Sequence, residues 1–214
     1  MFDFNVETGQ IRMYGIISPY GHDDDYPGDI SATDLMEAFD AMGGRDVNII
    51  LKSEGGEIST GLSMHNQIEA YGGKVTVEID AQAASIASFF PMAADKVLMR
   101  RMSEIFIHDP WSIAMGNARE FRGVADYLDG LGMIIADGYA QKAGGTAQEW
   151  FDLMAETKQF NAQEAVDAGL ADGIVGQKKP GDKPENRLKA PVAQLNWTAG
   201  NSLDKRRRLR KPTG

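Results

Sequence analysis

Short apolar runs alternate with stretches of helical spacing through the first half of the chain. The apolar runs predict strands, and the helical spacing between them predicts helices. Links that contain glycine connect most of these segments. The predicted strands cover residues 11–18, 47–52, 74–79, 96–101 and 104–108, and the helices between them cover residues 61–71 and 85–94. Because this alternation is typical of strand–helix–strand units, it predicts an α/β fold with a largely parallel sheet.

The second half of the pattern is mainly helical. Ser31 precedes a helix of the first half, and Thr146 and Asn161 precede two short helices here; each is followed three residues later by an acidic side chain, as in a capping box. Residues 118–143 have apolar side chains at helical spacing over roughly 39 Å, at about 1.5 Å per residue. That length exceeds what a small core needs, so part of this helix is predicted to pack on another subunit.

Composition separates a large acidic region from a basic C-terminal segment. The chain has 214 residues and a net charge of −9. Residues 177–214 contain eleven Lys and Arg against three acids, a net charge of +8, which leaves −17 on residues 1–176. We therefore predict one enzyme-sized domain over residues 1–176 and a basic, disordered tail over residues 177–214, with an anionic partner as one interpretation of the tail.

The same composition excludes several classes of protein. There is no cysteine, so neither a thiol nucleophile nor a disulfide framework is possible. The N-terminus is acidic where a signal peptide would be basic, and no apolar run approaches the roughly 20 residues of a membrane span. These absences predict a cytoplasmic protein with no membrane partner. His22 precedes three aspartates in a polar loop, but adjacent acids in such a loop are more often solvated than metal-binding, so no metal or other cofactor is predicted.

Candidate chemistry is concentrated between residues 53 and 108. Two glycines, at 55 and 56, follow a predicted strand and free the backbone to present N–H groups. Ser85 begins a predicted helix, where unpaired amides and the positive end of the dipole collect, so the N–H groups of Gly56 and Ile86 are candidate oxyanion donors. His108 ends an apolar strand just before a proline and is the candidate base.

Each of these residues also has an ordinary structural interpretation. A serine in the first turn of a helix is usually a cap, and Ser88 on the next turn is interpreted as structural. His65 is interpreted as a surface or interface histidine. The catalytic hypothesis rests on the combination of Ser85 with the glycine pair and His108, because a nucleophile, a base and donors are then all available.

Four motifs resemble, in order and spacing, those of the Clp protease proteolytic-subunit family, and within it the branch of phage and prophage head maturation proteases. They are Ser53-Glu54-Gly55-Gly56, Ala83-Ala84-Ser85, Ile107-His108-Asp109-Pro110, and Asn161-Ala162-Gln163-Glu164-Ala165-Val166 with Gly169-Leu170-Ala171-Asp172. The resemblance implies a spiral of strand–strand–helix units, shared with crotonases, and a protruding handle helix. It implies Ser85 as nucleophile, His108 as general base, Gly56 and Ile86 as oxyanion donors, and no cofactor.

The third catalytic position departs from the family pattern. Well-known Clp subunits have an aspartate before the last helical motif, where this chain has Thr157 with Glu156 beside it. We predict that the Thr157 hydroxyl orients His108, because a histidine base benefits from an acceptor on its second nitrogen.

The resulting hypothesis is an ATP-independent serine endopeptidase of the bacterial host cytoplasm. The resemblance implies a homo-oligomeric ring, with a heptamer or a double ring as possibilities, that cleaves a peptide or a capsid or scaffold protein during prohead maturation. Two alternatives stay open: a shell component of the same fold with weak or no activity, and a crotonase-like acyl-CoA enzyme.

Overall fold

A computed structural model describes residues 1–21 and 28–176 of the chain. The predictions for His22 and its aspartates, and for the basic tail over residues 177–214, lie outside these residues. Among the described residues, no helix is long and apolar enough to cross a membrane, and no cluster of candidate ligands could hold a metal ion.

The described strands form one mixed sheet that is largely parallel, as predicted. Its main path runs β1-β2-β3-β4-β5-β8, while β6 pairs with β4 and β7. The β1–β2 and β6–β7 pairs are antiparallel and the others are parallel. The strands are β1 (Phe2–Asn5), β2 (Gln10–Tyr14), β3 (Val47–Ser53), β4 (Val75–Ala84), β5 (Lys96–Met99), β6 (Glu104–Ile107), β7 (Lys158–Asn161) and β8 (Gly173–Ile174).

Helices connect these strands and pack with them around one cluster of buried side chains. They are α1 (Ala32–Met42), α2 (Ile58–Ala70), α3 (Ile86–Phe89), α4 (Ala118–Ala143), α5 (Ala147–Ala155) and α6 (Ala162–Asp167). The capping boxes predicted at Ser31, Thr146 and Asn161 are confirmed, because each side chain accepts from the backbone three residues on and the acid there bonds back.

Several elements differ from their predicted lengths. Strand β2 ends at Tyr14 and β5 ends at Met99, both earlier than predicted, while α2 begins at Ile58 rather than at residue 61.

Two further differences lie next to the candidate chemistry. The sequence places a break at Asp80, but β4 continues to Ala84 because its last residues pair with β6. The helix predicted to reach residue 94 is one α-turn, α3, followed by a 3-10 turn over Phe90–Ala93. Pro91 accounts for this early end, since it cannot donate the hydrogen bond that would continue an α-helix.

The long helix α4 has the predicted bounds but buries only its second half. Ile135, Ala136 and Tyr139 are buried in the core, whereas Phe121 and Tyr127 are exposed. The apolar face of this helix is therefore longer than the part that packs against the chain's own core.

Candidate active site

The end of β4 holds Ser85 in a strained backbone conformation. Its φ and ψ angles are 54° and −134°, a region that costs a non-glycine residue about 1–3 kcal/mol. The Ser85 N–H donates to the Phe106 carbonyl at 2.9 Å, and the Ser88 N–H donates to the Ser85 carbonyl at 2.9 Å. Backbone hydrogen bonds on both sides therefore maintain the strain.

The Ser85 hydroxyl is not a helix cap. Ser85 occupies the N-cap position of α3 but makes no side-chain capping hydrogen bond. The cap interpretation is therefore wrong, and the hydroxyl is available for another partner. The dipole argument also weakens, because α3 has only four residues; any anion here would be bound by individual N–H groups.

The parallel pairing of β4 with β6 brings His108 next to Ser85. Ala84 is in register with Phe106, so the backbone leaves β4 and β6 at the same edge of the sheet. Both side chains are half-buried and line one cleft of about 500 Å³, together with Gly55 and Gly56. The structure thus brings the predicted nucleophile, base and glycine pair together.

The environment of His108 fixes its neutral tautomer. Its Nδ1 lies 2.6 Å from the backbone carbonyl oxygen of Asp109. Because a carbonyl oxygen can only accept, Nδ1 must carry the proton, which leaves Nε2 with a free lone pair. This tautomer can take a proton from a hydroxyl in the cleft.

Two backbone N–H groups beside Ser85 are unpaired in the described structure. They belong to Gly56, which is exposed, and to Ile86, the first residue of α3. The loop packs closely here, since a Cβ built on Gly55 would lie 2.6 Å from the Ser85 Cβ and 3.3 Å from the Ile86 nitrogen. Ile86 follows the serine directly in the chain, and Gly56 lines the same cleft as the serine.

Replacing Gly55 by alanine is expected to lower both stability and activity. The new Cβ would lie 2.7 Å from the Ala84 carbonyl oxygen as well as against Ser85, and the φ of 95° is already unfavourable for alanine. Since a displacement of about 1 Å can cost about 100-fold in rate, we expect at least that loss in kcat/KM, with a lower melting temperature.

Gly72→Ala is the matched control for this substitution. A Cβ on Gly72 would meet no atom within 4 Å, so its melting temperature and peptide hydrolysis should match the parent. A Gly55→Ala enzyme with parental kcat/KM would show that the loop does not need to contact Ser85 so closely.

Thr157 lies at the start of β7, in the extension of the β6–β7 pairing. Ile107 and Lys158 form the last pair of this ladder, and His108 and Thr157 are the residues just beyond it on each segment. Thr157 is exposed, and its side chain makes no hydrogen bond in the described structure. With a φ of 58° it is, besides Ser85, the only non-glycine residue among those described with a positive φ.

Sequence reasoning missed the contribution of Asp109. Its carbonyl contacts the His108 ring, and its carboxylate oxygen Oδ1 is buried without a partner in the described structure. Burial raises the pKa of this carboxyl, the Asp129 carboxylate raises it further, and nearby His108 lowers it. Only the proximity of Asp109 to His108 in the sequence hinted at such a role.

Two other residues differ from their interpretation in the sequence. His65 is not a simple surface histidine, because it is half-buried and stacks on Phe89 with ring centroids 4.7 Å apart; burial lowers its pKa. Tyr139, predicted only as an apolar position of α4, lines a second, smaller cavity with Ser85, Ile86 and His108.

Comparison with known proteins gives one consistent result. A family model described as Clp protease matches residues 29–178. The ATP-dependent Clp protease proteolytic subunit of Ligilactobacillus salivarius is 32% identical over 144 residues, which cover 63% of this chain and 70% of that protein. The chloroplastic ATP-dependent Clp protease proteolytic subunit-related protein 2 of Arabidopsis thaliana is 26% identical over 156 residues, covering 72% of this chain and 55% of that protein.

The fold comparison agrees with the sequence comparisons. A mutant of ClpP1 from Listeria monocytogenes superposes with a TM-score of 0.69 at 18% identity, covering 81% of this chain and 94% of that one. This likeness confirms the predicted α/β fold of strand–helix units. Because the family model covers more than half of the sequence, the chain belongs to the Clp protease family.

Proposed function

We propose that this chain is a serine endopeptidase in which Ser85 is the nucleophile and His108 the general base. The observation that carries the proposal is the uncapped Ser85 hydroxyl in the same cleft as a histidine whose Nε2 is free. Membership of a proteolytic family supports the same reaction class.

The proposed reaction proceeds through an acyl-enzyme. His108 Nε2 takes the proton from Ser85 Oγ as that oxygen attacks the peptide carbonyl carbon, and the Gly56 and Ile86 N–H groups donate to the resulting oxyanion. The imidazolium then gives its proton to the leaving amine. Water attacks the ester and gives a proton to His108, and the imidazolium then returns that proton to Ser85 Oγ as the bond to the acid product breaks.

Labelling by a fluorophosphonate tests this proposal directly, because only an activated serine reacts at a useful rate. We expect stoichiometric modification, with the mass increase located on Ser85 by peptide mapping. A folded protein that is not labelled would favour the shell component without activity, and specific binding of coenzyme A would favour the crotonase-like alternative.

The substrate is proposed to be an extended peptide. The cleft is lined by Gly56, which is exposed and whose N–H is unpaired, and by residues 110–113. Exposed backbone of this kind recognises a chain by strand addition and tolerates varied side chains. The resemblance to phage head maturation proteases suggests a capsid or scaffold protein as the natural substrate.

Thr157 is proposed as the third catalytic position, with the Asp109 carbonyl as its competitor for the His108 Nδ1 proton. The Thr157 hydroxyl makes no hydrogen bond in the described structure, so the proposal requires that it replaces the Asp109 carbonyl as the Nδ1 acceptor during the reaction. Thr157→Val is nearly isosteric and should then lower kcat/KM by about 10-fold, as expected for the loss of one hydrogen bond of about 1.4 kcal/mol. Thr157→Asp should raise activity or leave it unchanged. If Thr157→Val has no effect and Glu156→Gln inactivates the enzyme, the role belongs to Glu156; if neither matters, the site works as a dyad.

A homo-oligomeric ring is proposed because α4 and the segment before it leave apolar side chains uncovered. Trp111, Ile113 and Met115 occupy every second position of the segment before α4, and all three are exposed, as is Ile134 on α4. Such a surface is typical of protein–protein contacts. Heptameric and double-ring forms are the candidates that the family resemblance suggests.

The assembly proposal predicts an oligomer at micromolar concentration by light scattering. Ile134→Glu should lower the measured mass, because it would bury a charge in the contact. Met102→Glu is the control, since Met102 is 89% exposed on the β5–β6 turn and away from α4. A parent chain that scatters as a monomer would contradict the proposal.

A further inference from the structure

Two buried hydroxyl groups lie behind Ser85 and connect it to α4. Ser88 Oγ donates to the Ser85 carbonyl oxygen at 2.5 Å and lies 2.7 Å from the Tyr139 hydroxyl. Ser88 and Tyr139 are 0% and 1% exposed. Because Tyr139 also lines the small cavity beside Ser85 and His108, this contact belongs to the immediate surroundings of the site.

Counting protons fixes the direction of these hydrogen bonds. Ser88 has one hydroxyl proton, which it donates to the Ser85 carbonyl. The Tyr139 hydroxyl must therefore donate to Ser88 Oγ. Burial raises the pKa of Tyr139, so that the hydroxyl keeps the proton it donates. The result is a directed chain from Tyr139 through Ser88 to Ser85.

The carbonyl at the end of this chain shares a peptide plane with a proposed oxyanion donor. The Ser85 C=O and the Ile86 N–H belong to one planar trans unit and point in opposite directions. A hydrogen bond that fixes the carbonyl therefore fixes the direction of the N–H. It also polarises the unit and strengthens the N–H as a donor.

We infer that Ser88 and Tyr139 are positioning residues that aim the Ile86 N–H at the oxyanion by holding the Ser85–Ile86 peptide plane. The strained φ of 54° at Ser85 makes such support necessary, since local preference alone would favour another orientation of this plane. The inference rests on the proposed peptidase function and adds two residues to its machinery.

Ser88→Ala and Tyr139→Phe test the inference, because loss of an aimed oxyanion donor should lower kcat and leave KM unchanged. Removing an oxyanion donor outright costs about 100- to 1,000-fold in kcat, so misdirecting one should cost less. We expect kcat to fall about 10- to 100-fold in Ser88→Ala, which keeps its backbone hydrogen bond to Ser85, and about 3- to 10-fold in Tyr139→Phe. KM and the acidic limb of the pH profile should not change, because the substrate cleft and His108 are untouched.

The chain offers a close control for each variant. Ser103 is also buried, and its N–H and Oγ donate to the carbonyl three residues back, that of Arg100, at 3.0 and 2.8 Å. Tyr71 donates its hydroxyl to the Arg45 carbonyl at 2.8 Å, at the far end of α2. Ser103→Ala and Tyr71→Phe should therefore keep the parental kcat even where they lower the melting temperature.

One further measurement separates this inference from the proposed function, and another tests whether the two residues act in series. The Ile86 amide proton shift, measured by NMR, should move in both variants, whether or not the parent is active. The variant that combines Ser88→Ala with Tyr139→Phe should lose little more kcat than Ser88→Ala, because the two residues act in series.

The outcomes distinguish the two proposals. An active parent whose kcat and Ile86 shift are unchanged by Tyr139→Phe would overturn the inference, as would a loss confined to KM. A parent without peptidase activity or labelling would overturn the proposed function instead.

Discussion

Ser85→Ala is expected to abolish peptidase activity while leaving fold and assembly intact. The substitution removes the oxygen that would form the acyl-enzyme, and in serine proteases the corresponding loss is on the order of 10⁶ in kcat. Little packing changes, since the Ser85 hydroxyl makes no hydrogen bond in the described structure. The measurement is hydrolysis of a fluorogenic peptide, with the melting temperature and light scattering of the same samples.

Ser63→Ala is a suitable control, because Ser63 is half-buried on α2 and has no place in the cleft. It should hydrolyse the peptide at the parental rate and react with a fluorophosphonate. If Ser85→Ala retains parental activity, Ser85 is not the nucleophile and the proposed mechanism fails.

His108→Gln is expected to cause a loss of the same order. A nucleophile and its base act as one unit, so removing either costs about as much as removing both. The variant that combines Ser85→Ala with His108→Gln should therefore be no less active than Ser85→Ala alone. Parental activity should also decline at acidic pH, because a protonated imidazole cannot accept the serine proton.

The control for this prediction is His65→Gln, which changes the other histidine of the described part of the chain. Stacking on Phe89 gives His65 a packing role, so the variant should lose stability but keep the acidic limb of the parent. A flat pH profile for the parent, or an acidic limb that disappears in His65→Gln, would count against His108 as the base.

Much of this fold could be predicted from the sequence because its signals are local. The capping boxes at Ser31, Thr146 and Asn161 and the bounds of α4 depend on residues within one or two helical turns, and all were predicted correctly. The early end of α3 has an equally local cause in Pro91, although the helix was predicted to reach residue 94.

What the sequence missed depends on contacts between distant segments. The extension of β4 past Asp80 and the existence of β7 both require β6 as a partner, and no local pattern reveals that pairing. Likewise, the bond between Ser88 and Tyr139 joins residues 51 positions apart. The role of the Asp109 carbonyl was missed for another reason. Every residue has a backbone carbonyl, and only the folded structure shows which of them accepts from His108 Nδ1.

The pairing of β4 with two different strands holds Ser85 and His108 near each other without relying on particular core side chains. The first half of β4 pairs with β5 and its last residues pair with β6, so Ser85 and His108 are brought together by main-chain register. Main-chain hydrogen bonds are available to nearly any sequence, whereas side-chain packing is not. Amino-acid replacement in the core can therefore accumulate over evolution without separating the two residues. Retention of this fold at 18% identity is the outcome that such a backbone-encoded arrangement allows.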